Sequence, residues 1–198
     1  MFYRSPPGQS LRTHPNQPPH QLYKIGDFNL ERGEVIKNFA ISYVTHGTLN
    51  AKKSNAILMV AAISGNHHRL DFLIGPGKPL DTNKFFIICT DAIGNGLTTS
   101  PSNLTARPHI KFPKFLIRDM ITSQKLLLDH LGISHVVAVI GPSMGGMQTP
   151  QWGVSYPEMM DRPGGNRAAR QDTWLVGCRH GGEPQGDHAR SRMEERRV

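Results

Sequence analysis

The segment of this chain best suited to chemistry is Gly141-Pro142-Ser143-Met144-Gly145-Gly146. It holds a hydroxyl in a G-x-S-x-G pattern, directly after the apolar run His135-Val136-Val137-Ala138-Val139-Ile140 and directly before a helix-like stretch. Strand, turn and helix in that order describe a nucleophile elbow. Glycines two residues either side of Ser143 let the serine take a strained backbone conformation that larger neighbours would block. The hydroxyl then stands clear of the sheet. The N–H of Met144, opening the helix, points to where an attacked carbonyl would gather negative charge. The chemistry predicted is acyl transfer through Ser143 as nucleophile, with Met144 as one backbone oxyanion donor.

A serine alcohol near neutral pH needs a base within hydrogen-bonding reach and a carboxylate to orient that base. For a nucleophile elbow the chain order is serine, acid, histidine. After Ser143 the histidines are His180 and His188, and the acids are Glu158, Asp161, Asp172, Glu183, Asp187, Glu194 and Glu195. None follows a strand in the way that would put it at the carboxyl edge of a sheet. His180 and His188 therefore read as solvated, and the acid and base of a triad are expected to be absent. The pair His67-His68 raises a metal reading, but adjacent side chains point in different directions and Asp71 is the one carboxylate at ligand spacing, so no metal is expected. His46 reads as packed near the first strands, while His130 and His135 flank a helix end, where a cation eases the last turn.

Several elements must position Ser143. Tyr23 to Leu30 and Ala40 to Gly47 predict two strands around the turn Glu31-Arg32-Gly33-Glu34. Ala56-Ile57-Leu58-Met59-Val60-Ala61 and Phe85-Phe86-Ile87-Ile88-Cys89-Thr90 are unbroken apolar runs, as strands covered on both faces of a parallel sheet require. Ile117, Met120, Ile121, Leu127, Leu128 and Leu131 recur at helical spacing, and Gly132 closes that helix. The pattern predicts an α/β fold with a mostly parallel sheet and flanking helices. Active sites of such sheets gather at the carboxyl ends of the strands. The loop Ala62-Ile63-Ser64-Gly65-Asn66-His67-His68 occupies one of those ends, and Ile63 is the candidate for the second backbone oxyanion donor.

Composition limits the alternatives. The net charge of +8 has sixteen basic against ten acidic residues through Arg162 and seven against five beyond it, without a basic stripe interleaved with aromatics. Nucleic acid is therefore not an expected partner. No apolar run approaches the length of a membrane span, so no membrane is expected either. Cys89 and Cys178 form no metal-ligand spacing, and a reducing compartment is the default. Residues 1–21 are rich in proline and read as a disordered extension. Arg4 and Arg12 with no acid before Asp27 give that extension a faint mitochondrial character. Residues 22–162 read as the folded domain. Residues 163–198 differ in kind, all seven basic residues being arginine where nine of the sixteen before are lysine. That tail is expected to be disordered and foreign to the domain, as after a change of reading frame near Arg162.

Five blocks carry a family likeness: Tyr43-Val44-Thr45-His46-Gly47-Thr48-Leu49-Asn50, residues 73–82 (LIGPGKPLDT), Ile117-Arg118-Asp119-Met120, residues 127–133 (LLDHLGI), and residues 141–148 (GPSMGGMQ). With these the chain resembles the homoserine O-acetyltransferase branch of the α/β-hydrolase superfamily over residues 22 to 162. The resemblance implies a partial α/β-hydrolase fold with the later strands and lid missing, leaving the strand at the elbow with a bare apolar edge. It also implies a two-stage reaction in the cytoplasm. Ser143 takes an acetyl group from the cosubstrate acetyl-CoA and passes it to the hydroxyl of homoserine or a similar alcohol, with Ile63 and Met144 as oxyanion donors. No permanent cofactor is implied, and a homodimer is the implied assembly. The stretch Gly94-Asn95-Gly96-Leu97-Thr98-Thr99-Ser100-Pro101-Ser102-Asn103 departs from the glycine-rich stretch of typical members, which leaves the acceptor open. Without the expected triad partners the activity should be impaired. A serine ester hydrolase and an inactive product are the alternative readings.

Overall fold

The computed structural model describes residues 20–63, 65–104 and 112–160, together with the backbone of residues 176–178. Its six strands are β1 (Gln21–Asn29), β2 (Val35–His46), β3 (Ala56–Val60), β4 (Phe86–Thr90), β5 (Ala138–Pro142) and β6 (Val176–Cys178), in the order β1-β2-β4-β3-β5-β6. The helices are α1 (Ile117–His130) and α2 (Met144–Ser155).

The opening hairpin forms because Gly33 takes φ 84° in a turn where Gly33 N–H donates to Leu30 O at 2.9 Å. Both of its strands run antiparallel to their neighbours, β1 on β2 and β2 on β4. From there on the sheet is parallel, β4 on β3, β3 on β5 and β5 on β6. The expected parallel sheet thus carries an antiparallel flap on one side. β3 lies in the middle, and all five of its residues are buried, as its unbroken apolar run requires.

Each face of the sheet has its own core. On one face Leu58, Val60, Ile88 and Val139 pack with Met120, Ile121, Leu127 and Leu128 of α1 and Trp152 of α2. On the other, Val44, Ile57, Met59, Ile87 and Cys89 pack with Ile74 and Leu80. Helix α1 carries the chain from β4 past β3 to β5. It begins where Asp119, 3% exposed, accepts from the N–H of Leu116 at 2.7 Å and from that of Glu31 at 2.8 Å, tying the helix to the hairpin turn. It ends in a Schellman motif, with Gly132 at φ 66°, Ile133 N–H donating to Leu128 O and Gly132 N–H to Asp129 O.

The apolar run before the elbow begins at His135, but pairing with β3 begins only at Ala138. Val136 bridges instead to Met160, and Val137 N–H donates to Ala56 O at 2.7 Å. The bare edge expected on β5 is corrected by the structure, since Ile140, Gly141 and Pro142 pair with Val176, Gly177 and Cys178. The tail does supply a short β-prone run there. The proline-rich opening through residue 19 and the remainder of the tail lie outside the described residues.

Candidate active site

Ser143 sits at the junction of β5 and α2, exposed to solvent, with φ 54° and ψ −117°. This is a sparsely populated conformation for a residue with a side chain. Pro142 ends the strand and Met144 begins the helix, so the N–H of Met144 belongs to the first turn, whose donors have no acceptor within the helix.

The glycines of the motif are explained by one neighbour. A Cβ on Gly141 would lie 2.5 Å from Val60 Cγ2, 2.8 Å from Val60 O and 2.8 Å from Gly145 Cα. A Cβ on Gly145 would lie 2.7 Å from the same Val60 O. Helix α2 therefore starts pressed against the carboxyl end of β3, and the space needed by Ser143 is only part of what the glycines provide.

That close approach brings α2 against the loop that follows β3. Gln148, fully buried, donates from Nε2 to Ala61 O at 3.3 Å and accepts from Gln124 Nε2 at 2.7 Å. Gln124 in turn accepts from Trp152 Nε1 at 2.8 Å. This chain of buried amides links α1, α2 and the residue at the tip of β3. Pro150, inside α2, lies on the exposed side of the helix. Ile63 stands in the turn after β3 with its side chain 73% exposed, so its position is set by the loop rather than by packing.

At the next strand end Asp91 is buried and acts as a junction. Its Oδ1 accepts from His67 N at 2.9 Å and Asn95 Nδ2 at 3.0 Å, and its Oδ2 accepts from Ser42 Oγ at 2.7 Å. His67 Nδ1 lies 2.6 Å from the same Oδ2. With both carboxylate oxygens accepting, Nδ1 carries the ring proton. A hollow beside the elbow is lined by Ala61, Ala62, Asn66, His67, Thr90 and Pro142.

The pair His67-His68 diverges as its sequence implies. His67 turns to Asp91, whereas His68 Nδ1 meets Asp71 Oδ2 at 2.9 Å. Among the described residues no group of three or more His, Cys, Asp or Glu side chains is arranged to hold a metal ion. His46 Nε2 and Asp71 Oδ1 are buried without a hydrogen-bond partner among the described residues. Burial lowers the pKa of His46, Asp71 opposes that effect, and the nearby His68 and His67 add to it. His130 stacks on Tyr23 at 4.1 Å between ring centroids. Glu158 lies in the short turn Pro157–Met159, while His180, His188 and the acids from Asp161 onward lie outside the described residues.

The sequence reading placed His67 in the loop after β3 but missed its pairing with Asp91, and it missed Gln148. His67 and Asp91 are twenty-four residues apart and the carboxylate ends an apolar strand, so no spacing joins them. For Gln148 a signal was present: an amide in an uncharged helix, at four-residue spacing between the apolar residues Met144 and Trp152.

No described helix is long and apolar enough to cross a membrane. A homoserine O-acetyltransferase from Methanococcoides burtonii is 44% identical over 155 residues, covering 69% of this chain and 32% of that protein. Among solved structures, an acetylester hydrolase from Corynebacterium glutamicum superposes with TM-score 0.68 at 41% identity, covering 72% of this chain and 42% of that one. A homoserine O-acetyltransferase from Bacillus anthracis superposes with TM-score 0.66 at 32% identity, covering 72% and 44%. The chain thus spans about a third of the length of the curated relative just described. The alpha/beta hydrolase fold family matches residues 55–162, from the strand before the first loop through the elbow and its helix, and the chain belongs to that family.

Proposed function

We propose that this chain carries the nucleophilic part of an O-acyltransferase of the homoserine O-acetyltransferase type. The observation that carries the reading is the exposed Ser143 at φ 54° between the end of β5 and a helix N-terminus. In the first stage Ser143 Oγ attacks the thioester carbonyl of acetyl-CoA. The Oγ–carbon bond forms, the carbon–sulfur bond breaks, and the serine proton leaves with the thiol of coenzyme A. In the second stage an amino-acid hydroxyl such as that of homoserine attacks the acetyl-serine, takes the acetyl group and returns a proton to Ser143. The backbone N–H groups of Met144 and Ile63 are the donors that meet the negative oxygen in both stages. The similarity to homoserine O-acetyltransferases supports this choice of acyl donor and acceptor.

Water as acceptor is the second reading. It is favoured by one observation, the higher identity to the acetylester hydrolase than to the acetyltransferase of Bacillus anthracis, 41% against 32%. Both readings share the acetyl-serine. Incubation with acetyl-CoA labelled in the acetyl group, followed by peptide mass spectrometry, should place the label on Ser143 and leave Ser143→Ala unlabelled. Absence of label, with a full-length relative labelled in parallel, would refute the proposal. Adding homoserine against buffer alone to the labelled protein then separates transfer from hydrolysis.

A further inference from the structure

An oxyanion donor works only when it is held to within about half an ångström of the developing charge. The loop bearing Ile63 has little packing of its own to provide this. The Ile63 side chain is 73% exposed, and Gly65 closes a turn onto Ala62 O at 3.2 Å. The loop is held at its ends. At the start Gln148 fastens Ala61 to α2, and at the far end Asp91 holds both the backbone N–H and the ring Nδ1 of His67.

We propose that Asp91 is a positioning residue for the acylation of Ser143, fixing the loop that carries Ile63 by clamping His67 between β4 and β2. The inference rests on the function proposed above. Its support is the convergence of four donors from three segments on one buried carboxylate: Ser42 of β2, His67 of the loop, and Asn95 of the following turn. The Asp91 backbone is engaged as well, its N–H donating to Ser42 O at 2.9 Å and its carbonyl accepting from Thr98 Oγ1 at 2.9 Å. A core without a further task would be served at least as well by apolar packing, because a buried carboxylate is costly to desolvate. What the carboxylate adds is geometry: two bonds to a single loop residue fix both where His67 sits and how its ring is turned.

The test uses the intact chain with an ethoxy-fluorophosphonate as probe. Ser143 Oγ bonds to phosphorus, fluoride leaves, and the serine proton passes to buffer. Labelling rates across probe concentrations give the maximal rate and the half-saturating concentration separately. Hydrogen exchange of residues 61–70 is measured in parallel. For Asp91→Ala the maximal rate should fall about 100-fold, the size of losing one oxyanion donor, with half-saturation within about twofold and faster exchange across the loop. Asp91→Asn keeps the shape and can bond Ser42 Oγ and His67 Nδ1 in reversed roles, so it should recover about tenfold of the loss. A purely structural role would lower the fraction of labelled protein while leaving the rate per labelled molecule unchanged, and that result overturns the proposal. Unchanged exchange at residues 61–70 in Asp91→Ala overturns it too, and where that variant fails to fold, wild-type exchange together with a wild-type maximal rate in Asp91→Asn does so. A wild-type chain that takes the fluorophosphonate but no acetyl group from acetyl-CoA refutes the proposed function while leaving this test intact.

Discussion

Gly141→Ala isolates the contact between the elbow and the central strand. The new methyl group would sit 2.5 Å from Val60 Cγ2 and 2.8 Å from both Val60 O and Gly145 Cα. The valine methyl can turn aside, but the other two are backbone atoms of β3, hydrogen-bonded on both sides, and of the first turn of α2. Relief must come from moving α2, and Ser143 with it, outward by several tenths of an ångström. Overpacking of this kind costs about 1–3 kcal/mol, and the conformational gain of replacing a strand glycine returns about 0.5–1 kcal/mol. The net expectation is a loss of about 1 kcal/mol. For a chain of this length that is a fall in Tm of roughly 2–4 °C. Thermal unfolding followed by circular dichroism measures the first effect, and fluorophosphonate labelling of Ser143 at a temperature where both proteins are folded measures the second. A variant that melts within a degree of wild type and labels at the same rate would refute the argument that Val60 sets the position of the elbow.

Three further outcomes follow from the same geometry. Ser143→Gly should remove the strain at φ 54° while Ser143→Ala retains it, so the glycine variant should be the more stable by about 1 kcal/mol in urea unfolding, with labelling lost in both. Gln148→Leu leaves Ala61 O and Gln124 Nε2 without partners in a dry environment, and should cost about 2–4 kcal/mol, read as a lower urea midpoint, with slower labelling of Ser143. The lowered pKa of His46 means that below about pH 6.5 the unfolded chain takes up a proton that the folded chain refuses, so stability is full above that pH and declines as acid is added through the window beneath it. His46→Gln should make that decline shallower in urea midpoints measured from pH 7.5 to 5.5, and an unchanged slope would remove His46 from the account.

Much of this architecture is legible in the chain because its signals are local. The unbroken apolar runs of β3 and β4 can only be strands covered on both faces, and the three-and-four spacing from Ile117 to Leu131 with Gly132 after it leaves little freedom for α1. Boundaries are less legible where an apolar residue has two uses. Val136 looks like strand, yet it bridges Met160 while the ladder starts two residues later, at Ala138. Ser143 is recognisable because its requirements are met within six residues. Asp91 and His67 are not, since a buried hydrogen-bonded pair across twenty-four residues has no period and no fixed spacing. Their partnership exists only once β4 and β3 lie side by side. The glycines show the same divide: their need was evident, but the atom they make room for, Val60 O, belongs to a strand eighty residues earlier.

The sulfur of Cys89 turns the middle of the sheet into a clock. It lies 1% exposed, 3.8 Å from Met59 Sδ, and burial raises its pKa well above that of an ordinary thiol. A soluble disulfide reagent finds there neither access nor a thiolate, so the reaction waits for β3 and β4 to part. The rate at which that single atom is consumed therefore counts openings of the innermost ladder, one molecule at a time, whatever the outer hairpin and the loops are doing.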